Sequence, residues 1–574
     1  MRLLIGIVFL FATHSPTAQV LIRNTNVLDV ENKKILKGYS VLVNDGRIIS
    51  VDKDRQYKLA PGTRVIDGEG KFLAPGLVDA HVHFFQSGGL FTRPDAIDLR
   101  KYRTHTEELK WSHDNMDDLL RRYLSAGITS VIDVGSTYNF LTQRDTFADK
   151  KYVPDIFMAG PLLTTWIPDA FKDLGNDGPF ILMQTEENTR QGVRDQLRYK
   201  PDLIKIWYIV TDKDKEKGAR KNLELVRAAI DEAHKNNLRV AVHATELITA
   251  KLAVEAGAEF LVHNIEDEII TDEFLQLLKK KNVVVCPTLI VGNGYFHTFA
   301  HNYSFTTDEL ELSNPAPVSD ILNFPWPDTA LGNKYISLLN SLARQDRNRH
   351  EDSVMTVNVK KMLDAGITVA AGTDAGNIGT QHVGAYLREL QAMHKAGFSM
   401  WDILTSATIN GAKAMNLQSG FGSITKGKQA DMLLLSANPL DSLANFRKIE
   451  WVINKGVVFH PDSLVSTTPE QLVQQQLNAY NAHNLEAFLE PYSEDVEIYT
   501  FPSKLEMKGK AAMRNAYQFI NTTPGLYCKL LSRIVQNNMI IDHEEIWKDG
   551  KKQVHAIAMY TIEHGKISKV YFSK

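Results

Sequence analysis

The fold prediction starts from one stretch, Ala74-Pro75-Gly76-Leu77-Val78-Asp79-Ala80-His81-Val82-His83-Phe84. A Pro-Gly turn leads into a short apolar strand that ends with two histidines one residue apart. Because alternate side chains of a strand point to the same face, His81 and His83 project side by side from its C-terminal end. Two neutral imidazoles held in this way can bind one metal ion. The same pair also occurs in strands by chance, so the metal prediction depends on the rest of the chain.

From this stretch onward, short apolar segments alternate with amphipathic helical segments, a pattern typical of a parallel α/β fold. The eight strand candidates are residues 77–83, 128–133, 155–159, 203–207, 239–243, 259–263, 283–287 and 367–374. Eight such units predict a TIM-type (β/α)8 barrel with insertions. A doubly wound open sheet is the alternative, but it gives no reason for eight units. The longest insertion, residues 291–350, either shapes the substrate pocket or forms a solvated excursion with its own small core.

Further β patterns on both sides of the barrel, and helical segments near the C-terminus, divide the 574 residues into several parts. Turn sequences at Asn44-Asp45-Gly46 and Asn454-Lys455-Gly456 predict hairpins on both flanks of the barrel, and these flanks would share one small composite β-sandwich. Near the C-terminus, helical segments precede alternating strands, which is the order of an α+β domain. The predicted parts are a signal peptide (1–19), the first part of the sandwich (20–75), the barrel (76–416), the second part of the sandwich (417–465) and the α+β domain (466–574).

The composition, 44% hydrophobic and 23% charged, is that of a soluble globular protein. A net charge of -3 gives no basic footprint, so no nucleic-acid partner is expected. Residues 3–12 form an apolar run after Met1-Arg2 and precede small residues, which predicts a cleaved secretory signal and a secreted or periplasmic protein. An uncleaved membrane anchor is the alternative, and no other segment is long and apolar enough to span a bilayer. Cys286 and Cys528 are predicted to be two buried thiols.

Metal-capable side chains occur in several of the later predicted strands. Lys205 lies within the fourth strand, and His243, His263 and Asp374 end the fifth, sixth and eighth. Barrel active sites lie at the C-terminal ends of the strands, where these residues would meet the two histidines of the first strand. We call the six residues the donor set: His81, His83, Lys205, His243, His263 and Asp374. Taken singly, His243 or His263 is more often a hydrogen-bonded core histidine than a metal ligand, and Asp374 alone is also explained as a cap of the following turn.

Lys205 needs a separate explanation because it lies between two isoleucines. An unpaired ammonium is costly in an apolar strand, and as a free cation it would repel a metal ion. A salt bridge is the structural interpretation, and Asp133 at the end of the second strand is a candidate partner. Asp133 itself is expected to have a structural role.

Together these motifs resemble the amidohydrolase superfamily, and in particular its imidazolonepropionase-like and prolidase-like branch. The segments that carry the resemblance are residues 75–83, 204–206, 242–244, 262–264, 372–374, 407–412 and 427–431, within a region of about residues 20–459. The resemblance implies that His81, His83 and Asp374 hold one divalent metal ion and that His243 and His263 hold a second. It also implies that an N-carboxylated Lys205 joins the two ions, for which zinc is the expected element.

The resemblance implies a binuclear metal-dependent amidohydrolase that cleaves a carbon–nitrogen bond of an amide or cyclic amide. In the implied mechanism, metal-activated hydroxide attacks a carbonyl and Asp374 acts as general base and then acid. Tyr208 and His382 are candidate contacts to the small-molecule substrate. The alternatives are a Xaa-Pro dipeptidase-like enzyme of the same fold and a non-catalytic small-molecule-binding protein that uses the C-terminal domain.

The C-terminal domain resembles the SnoaL-like family of NTF2-like folds. Residues 479–486 and 507–512 carry this resemblance. It implies a cone-shaped α+β fold, which serves as an isomerase, a binding pocket or a dimerisation module in different proteins. We expect this domain to dimerise the chain or to cover the substrate, and it is the candidate contact of a homodimer.

Overall fold

The computed structural model describes residues 19–53, 56–172, 177–325 and 329–573. The predicted signal peptide lies outside the described residues except for Gln19. In the described part of the chain, no helix combines the length and the apolar character needed to cross a membrane. Both cysteines are buried free thiols, as predicted.

Strands and helices are numbered in chain order over the described residues. The strands are β1 (Val20–Asp29), β2 (Lys34–Asn44), β3 (Arg47–Lys53), β4 (Arg64–Asp67), β5 (Phe72–Pro75), β6 (Leu77–Val82), β7 (Ile128–Asp133), β8 (Asp155–Met158), β9 (Leu162–Thr164), β10 (Phe180–Leu182), β11 (Leu203–Trp207), β12 (Arg239–His243), β13 (Phe260–Val262), β14 (Val284–Cys286), β15 (Thr368–Val369), β16 (Met432–Leu435), β17 (Ile449–Asn454), β18 (Val457–Phe459), β19 (Tyr492–Thr500), β20 (Lys504–Lys508), β21 (Leu526–Gln536), β22 (Met539–Lys548), β23 (Lys551–Glu563) and β24 (Lys566–Ser573). The helices are α1 (His105–Asp114), α2 (Met116–Ser125), α3 (Tyr138–Asp145), α4 (Glu186–Leu197), α5 (Lys215–Lys235), α6 (Leu247–Ala256), α7 (Asp272–Lys280), α8 (Val291–Phe299), α9 (Thr307–Leu312), α10 (Pro315–Asn323), α11 (Ala330–Leu339), α12 (Leu342–Asp364), α13 (Tyr386–Lys395), α14 (Met400–Ser406), α15 (Ile409–Ala414), α16 (Pro469–Asn481), α17 (Leu485–Leu489), α18 (Lys510–Ala516) and α19 (Phe519–Thr522).

One sheet combines strands from both flanks of the central region. Its order is β18-β17-β16-β5-β1-β2-β3, with β4 paired to β1. The two flanks meet where β5 runs antiparallel to β16, with Leu73 opposite Leu434. Alternate residues such as Ile22, Val41 and Met432 are fully buried on its inner face. Hydrogen bonds join all eight strands into a single sheet, and residues from both flanks share one buried cluster.

Two parallel sheets form the central region. One has the order β6-β7-β8, and the other has the order β10-β9-β11-β12-β13-β14-β15. The eight predicted strands correspond to β6, β7, β8 and β11 to β15. The three-residue strands β9 and β10 were not predicted, because a segment that short carries no recognisable periodicity.

The last parallel strand is shorter than predicted. Pairing in β15 ends at Val369, and Asp374 adopts a positive φ of 61° in the turn that follows. Aspartate tolerates this left-handed conformation better than most residues do. Glycine at position 372 permits the backbone of this turn to lie close to the end of β6, because a Cβ there would lie 2.7 Å from the backbone nitrogen of His81. The turn therefore delivers Asp374 beside the end of β6.

The long insertion after β14 has two parts with different neighbours. Its first helix, α8, lines the cavity described below. Its helices α9 and α10 pack against α16, with Phe305 and Val318 in the same buried cluster as Leu477. Asn478 of α16 also donates a hydrogen bond of 2.7 Å to the carbonyl of Pro315. The first part of the insertion therefore lines the cavity, as one interpretation predicted, whereas the second part packs against the C-terminal region and shares its buried cluster.

The C-terminal region contains a six-stranded sheet of order β20-β19-β24-β23-β22-β21. Helix α16 packs against it through Val473 and Leu477. The predicted α+β composition agrees with this arrangement. Strands β19 and β20 lie before α18, a region for which only helices were predicted, because their alternation is interrupted by charged residues.

Candidate metal centre

The end of β6 and the turn after β15 are tied together by backbone and side-chain contacts. The backbone nitrogen of Asp374 donates to the carbonyl of His81 at 2.7 Å. The carboxylate of Asp79 accepts hydrogen bonds from Thr373, at 3.0 Å from its backbone nitrogen and 2.8 Å from its hydroxyl. Burial raises the pKa of Asp79 to about 7. Asp79 therefore holds the turn in register with the strand that carries the two histidines.

Asp374 lies at the centre of a compact buried cluster. Its Oδ1 is 3.1 Å from Nε2 of His81 and 3.2 Å from Nε2 of His83. Its Oδ2 is 3.9 Å from Nδ1 of His263. One ligand atom from each of His81, His263 and Asp374 lies within 4.8 Å of the others, close enough for a single metal ion. The first, sixth and eighth predicted strands thus deliver their side chains to one place.

His243 and Lys205 lie at the other side of this cluster. The rings of His243 and His263 have centroids 4.3 Å apart and meet edge to face. Lys205 pairs in register with Ala241 of the next strand, and its side chain lines the same cavity as the histidines. The structure therefore brings all six members of the donor set together.

Lys205 is almost fully buried, with 1% of its surface exposed. Among the described residues, its ammonium group has neither a hydrogen-bond nor an ion-pair partner. The candidate partner Asp133 instead accepts the backbone N–H groups of Phe84 and Gly135, each at 3.0 Å. Burial lowers the pKa of Lys205 to about 7. Asp133 is thus a structural residue, and the predicted salt bridge to Lys205 is not formed.

The donor chemistry of the cluster fits a divalent cation. Nδ1 of His83 lies 2.7 Å from the carbonyl of Gly135, which can only accept, so Nδ1 carries the proton and Nε2 faces Asp374. Burial lowers the pKa of His81 to about 4 and the pKa of His263 well below its usual range, so both imidazoles are neutral at neutral pH. A carboxylate surrounded by neutral imidazole nitrogens is a set of electron-pair donors that zinc favours.

A cavity of about 270 Å³ opens beside the donor set. Aromatic and aliphatic side chains form part of its wall, including Trp207, Phe180 and Leu162. The carboxyl group of Glu266 also lines it, and burial raises the pKa of this carboxyl to about 7. A space of this size with a few polar groups can hold a small organic molecule.

A hydrogen-bond network behind Asp374 was not predicted. Nδ2 of Asn377 donates to Oδ1 of Asp374 at 2.7 Å. The side-chain amide oxygen of Asn377, Oδ1, accepts hydrogen bonds from the hydroxyl of Tyr295 at 2.6 Å and from Nη1 of Arg93 at 2.8 Å. Asp95 fixes Arg93 through two further bonds of 2.8 and 2.6 Å. Only the closeness of Asn377 to Asp374 along the chain could have suggested any part of this network.

Tyr295→Phe tests whether this network positions Asp374. We expect kcat to fall about three- to tenfold, the value of one hydrogen bond, because Asn377 loses one of its two donors. Tyr335→Phe is the matched control, since Tyr335 belongs to the same insertion and donates to the carbonyl of Ala96 at 2.9 Å. Equal effects of the two substitutions on kcat would contradict a positioning role for Tyr295.

The two predicted substrate contacts lie away from the cavity. Tyr208 is fully buried, and its hydroxyl donates to the carbonyl of Ala219 at 2.5 Å. His382 uses Nε2 on the carbonyl of Gln86 at 2.8 Å and Nδ1 on the hydroxyl of Tyr123 at 2.9 Å. With their polar atoms engaged by the protein, neither residue is placed to bind substrate. His382 instead supports the loop that follows His83, through the carbonyl of Gln86.

Comparison with protein-family models decides the relationship of the chain. The model of the amidohydrolase family matches residues 72–459, which is more than half of the sequence. The chain belongs to the amidohydrolase family. The matched region contains the whole donor set, and the predicted metal-dependent hydrolysis of carbon–nitrogen bonds is confirmed at this level. A second model, of a SnoaL-like domain, matches residues 473–570.

Individual proteins that are similar to this chain are distant from it in sequence. Ochratoxinase from Aspergillus niger is 23% identical over 397 residues, covering 66% of this chain and 72% of the relative. A putative prolidase from Bifidobacterium longum is 23% identical with a TM-score of 0.54, covering 78% of this chain and 98% of its own. A Xaa-Pro dipeptidase with bound methionine is 20% identical with a TM-score of 0.57, covering 77% and 100%. These likenesses indicate a TIM-barrel-type fold for the central region.

Proposed function

We propose that this amidohydrolase cleaves an amide or cyclic amide bond of a small molecule at a binuclear metal centre. The observation that supports it most strongly is the convergence of six metal-capable side chains from the ends of five strands, of which five are buried, His243 is half-buried, and all but His81 line one cavity. In this proposal His81, His83 and Asp374 hold one ion, and His243 and His263 hold the other. Zinc is the proposed metal because neutral imidazoles dominate the set.

Lys205 would join the two ions as an N-carboxylated side chain. Its pKa of about 7 leaves much of the amine uncharged at neutral pH, and an uncharged amine can attack carbon dioxide. The nitrogen forms a bond to the carbon of carbon dioxide and releases a proton. The product is an anion, which removes the cost of burying an unpaired cation in β11.

When bound, the divalent ions would lower the pKa of a water molecule and polarise the substrate carbonyl. The residues of the chain then supply orientation and proton transfer. Asp374 accepts the proton of the attacking water and later delivers it to the leaving nitrogen. The donated hydrogen bond from Asn377 fixes Oδ1, which keeps the carboxylate in one orientation during both transfers.

A Xaa-Pro dipeptidase-like activity is the second candidate. The prolidase and Xaa-Pro dipeptidase structures named above favour it as a substrate class, although their identity to this chain establishes the fold alone. A panel of small amides, cyclic amides and Xaa-Pro dipeptides, offered to the zinc-loaded protein, separates the two. The third candidate, a non-catalytic binding protein, predicts no turnover of any of them.

Metal removal tests the proposal as a whole. We expect a chelator to abolish hydrolysis and added zinc to restore it, because water activation depends on the ions. His83→Ala should bind less zinc and stay inactive after zinc addition. The exposed His460, which lies outside the cavity, gives the matched control His460→Ala. Full activity of the chelated protein, or equal zinc binding by both variants, would contradict a metal centre at the donor set.

We also propose that eight of the ten strands in the two parallel sheets, β6 to β8 and β11 to β15, close into one barrel. A parallel bridge between Ala159, just after β8, and Leu203, at the start of β11, supports closure where one sheet meets the other. At the second junction of the two sheets, the backbone nitrogen of Ala80 in β6 donates to the carbonyl of Ala371, just after β15, at 2.9 Å. For the C-terminal region we propose the cone shape of NTF2-like domains, supported by the six-stranded sheet packed on α16.

A homodimer through the outer face of the C-terminal sheet is part of the proposal. A row of apolar side chains crosses five strands on that face, with Ile534 opposite Ile541, Ile541 opposite Met559, Met559 opposite Tyr571, and Tyr571 opposite Tyr499. Ile534 is 60% exposed, and a continuous apolar row of this kind is typical of a protein interface.

From the N-terminal sequence we propose a secreted or periplasmic location.

A further inference from the structure

A second cavity, of about 370 Å³, lies inside the C-terminal region. Helices α16 and α17 and strands β21 to β24 enclose it, and it shares no lining residue with the cavity at the donor set. Its wall is mainly apolar and aromatic. The lining residues include Phe488, Cys528, Glu544, Ala556 and Tyr560. The volume and the apolar wall are those of small-molecule sites in proteins.

Glu544 is the unusual member of this wall. Only 6% of its surface is exposed, and its contact with Sγ of Cys528, at 3.6 Å, is a weak hydrogen bond. Its neighbour on the same face, Asp542, is bound by two hydrogen bonds of 2.7 Å from Arg533. Burial raises the pKa of Glu544 to about 7, so much of this carboxyl carries a proton at neutral pH.

Three other polar side chains of the wall, those of Gln476, Tyr492 and Tyr560, satisfy one another. Nε2 of Gln476 donates to the hydroxyl of Tyr560 at 3.2 Å, and the hydroxyl of Tyr492 donates to Oε1 of Gln476 at 3.3 Å. A buried carboxyl without a strong partner is costly unless a ligand completes its hydrogen bonds. The aromatic rings around it would pack against a flat apolar ligand.

We propose that this cavity binds an uncharged, mainly aromatic small molecule whose one hydrogen-bond acceptor accepts a hydrogen bond from the carboxyl of Glu544. The site adds a second ligand to the hydrolase and does not depend on the substrate of the metal centre. An anionic ligand is disfavoured, since both Glu544 and Asp542 belong to this face of the sheet.

Prodan, a neutral naphthalene ketone whose fluorescence shifts to the blue in apolar surroundings, is a suitable probe. We expect saturable binding to the full-length protein. Ala556→Phe fills the cavity and should weaken binding at least about tenfold. The matched control is Ile557→Phe, which places the same ring on the outer face of the same strand, where Ile557 is 41% exposed. Circular dichroism checks that both variants are folded.

The pH dependence of prodan binding tests separately whether the carboxyl of Glu544 is the hydrogen-bond donor. From about pH 6 to about pH 8, the affinity of the wild type should fall about three- to tenfold, as Glu544 loses its proton near pH 7. Glu544→Gln always offers an N–H group and should bind with no such dependence, while Glu545→Gln, on the opposite face, should behave as the wild type.

Other titratable groups of the wall do not account for this pH dependence. Burial raises the pKa of Cys528, Tyr480, Tyr492 and Tyr560 far above this range and that of Tyr517 to about 12, and Lys548 is an exposed cation at the rim. Absence of saturable binding, or equal binding by Ala556→Phe and Ile557→Phe, would overturn the proposed site. An unchanged pH dependence in Glu544→Gln would overturn the role of the carboxyl, and this arm remains decisive if Ala556→Phe does not fold.

Discussion

Asp374→Asn is expected to lower kcat by about 100- to 10,000-fold, the usual contribution of general acid–base catalysis. The amide has nearly the same size as the carboxylate and keeps an oxygen for the ion and for the hydrogen bond from Asn377. It cannot accept the proton of the attacking water or return it to the leaving nitrogen. Bound metal should therefore remain largely in place while turnover is lost.

The comparison needs kcat and metal content from the same zinc-loaded preparations. Asp98→Asn is the matched control, because Asp98 is an exposed aspartate that pairs with Arg100 at 2.7 Å. We expect this control to keep wild-type turnover. Unchanged turnover in Asp374→Asn would refute the proton-transfer role, and complete loss of metal would show that Asp374 acts mainly as a ligand.

Lys205→Ala and Lys205→Arg are expected to have the second large effect. Loss of an outer-shell partner of a metal ligand already costs about 10- to 100-fold in activity, so loss of a group that joins both ions should cost at least about 100-fold. Arginine keeps a positive charge but does not deprotonate to react with carbon dioxide. A purely structural cation at this position would tolerate arginine, whereas the carboxylated lysine would not.

Two readouts besides activity check this prediction. The zinc content of both variants should fall below that of the wild type, and Lys221→Ala, at an exposed lysine of α5, should retain it. Wild-type protein incubated with isotopically labelled bicarbonate should show a carbamate resonance that both Lys205 variants lack. Wild-type zinc content in Lys205→Arg would contradict a bridging role for Lys205.

The donor set could be predicted because parallel strands impose a simple geometry. His81 and His83 are two residues apart in one strand and so share a face, and the C-terminal ends of parallel strands meet at one edge. The same rule explains an error at the end of β11. Lys205 and Trp207 share the face that lines the cavity, so Tyr208, one residue further, does not reach it.

Other features could not be predicted because they depend on contacts between distant parts of the chain. Arg93, Tyr295 and Asn377 meet behind Asp374, yet more than eighty residues separate each from the next and no local motif links them. The docking of α10 on α16 is of the same kind. Short strands such as β9 form because their neighbours supply hydrogen bonds, which a single segment does not reveal.

Anomalous diffraction from crystals of the zinc-loaded full-length protein, recorded at the zinc absorption edge, tests the central claim most directly, because it locates each ion among its ligands. The account predicts two peaks in the cavity, one in contact with His81, His83 and Asp374 and the other in contact with His243 and His263. Zinc peaks found only away from these residues would contradict it.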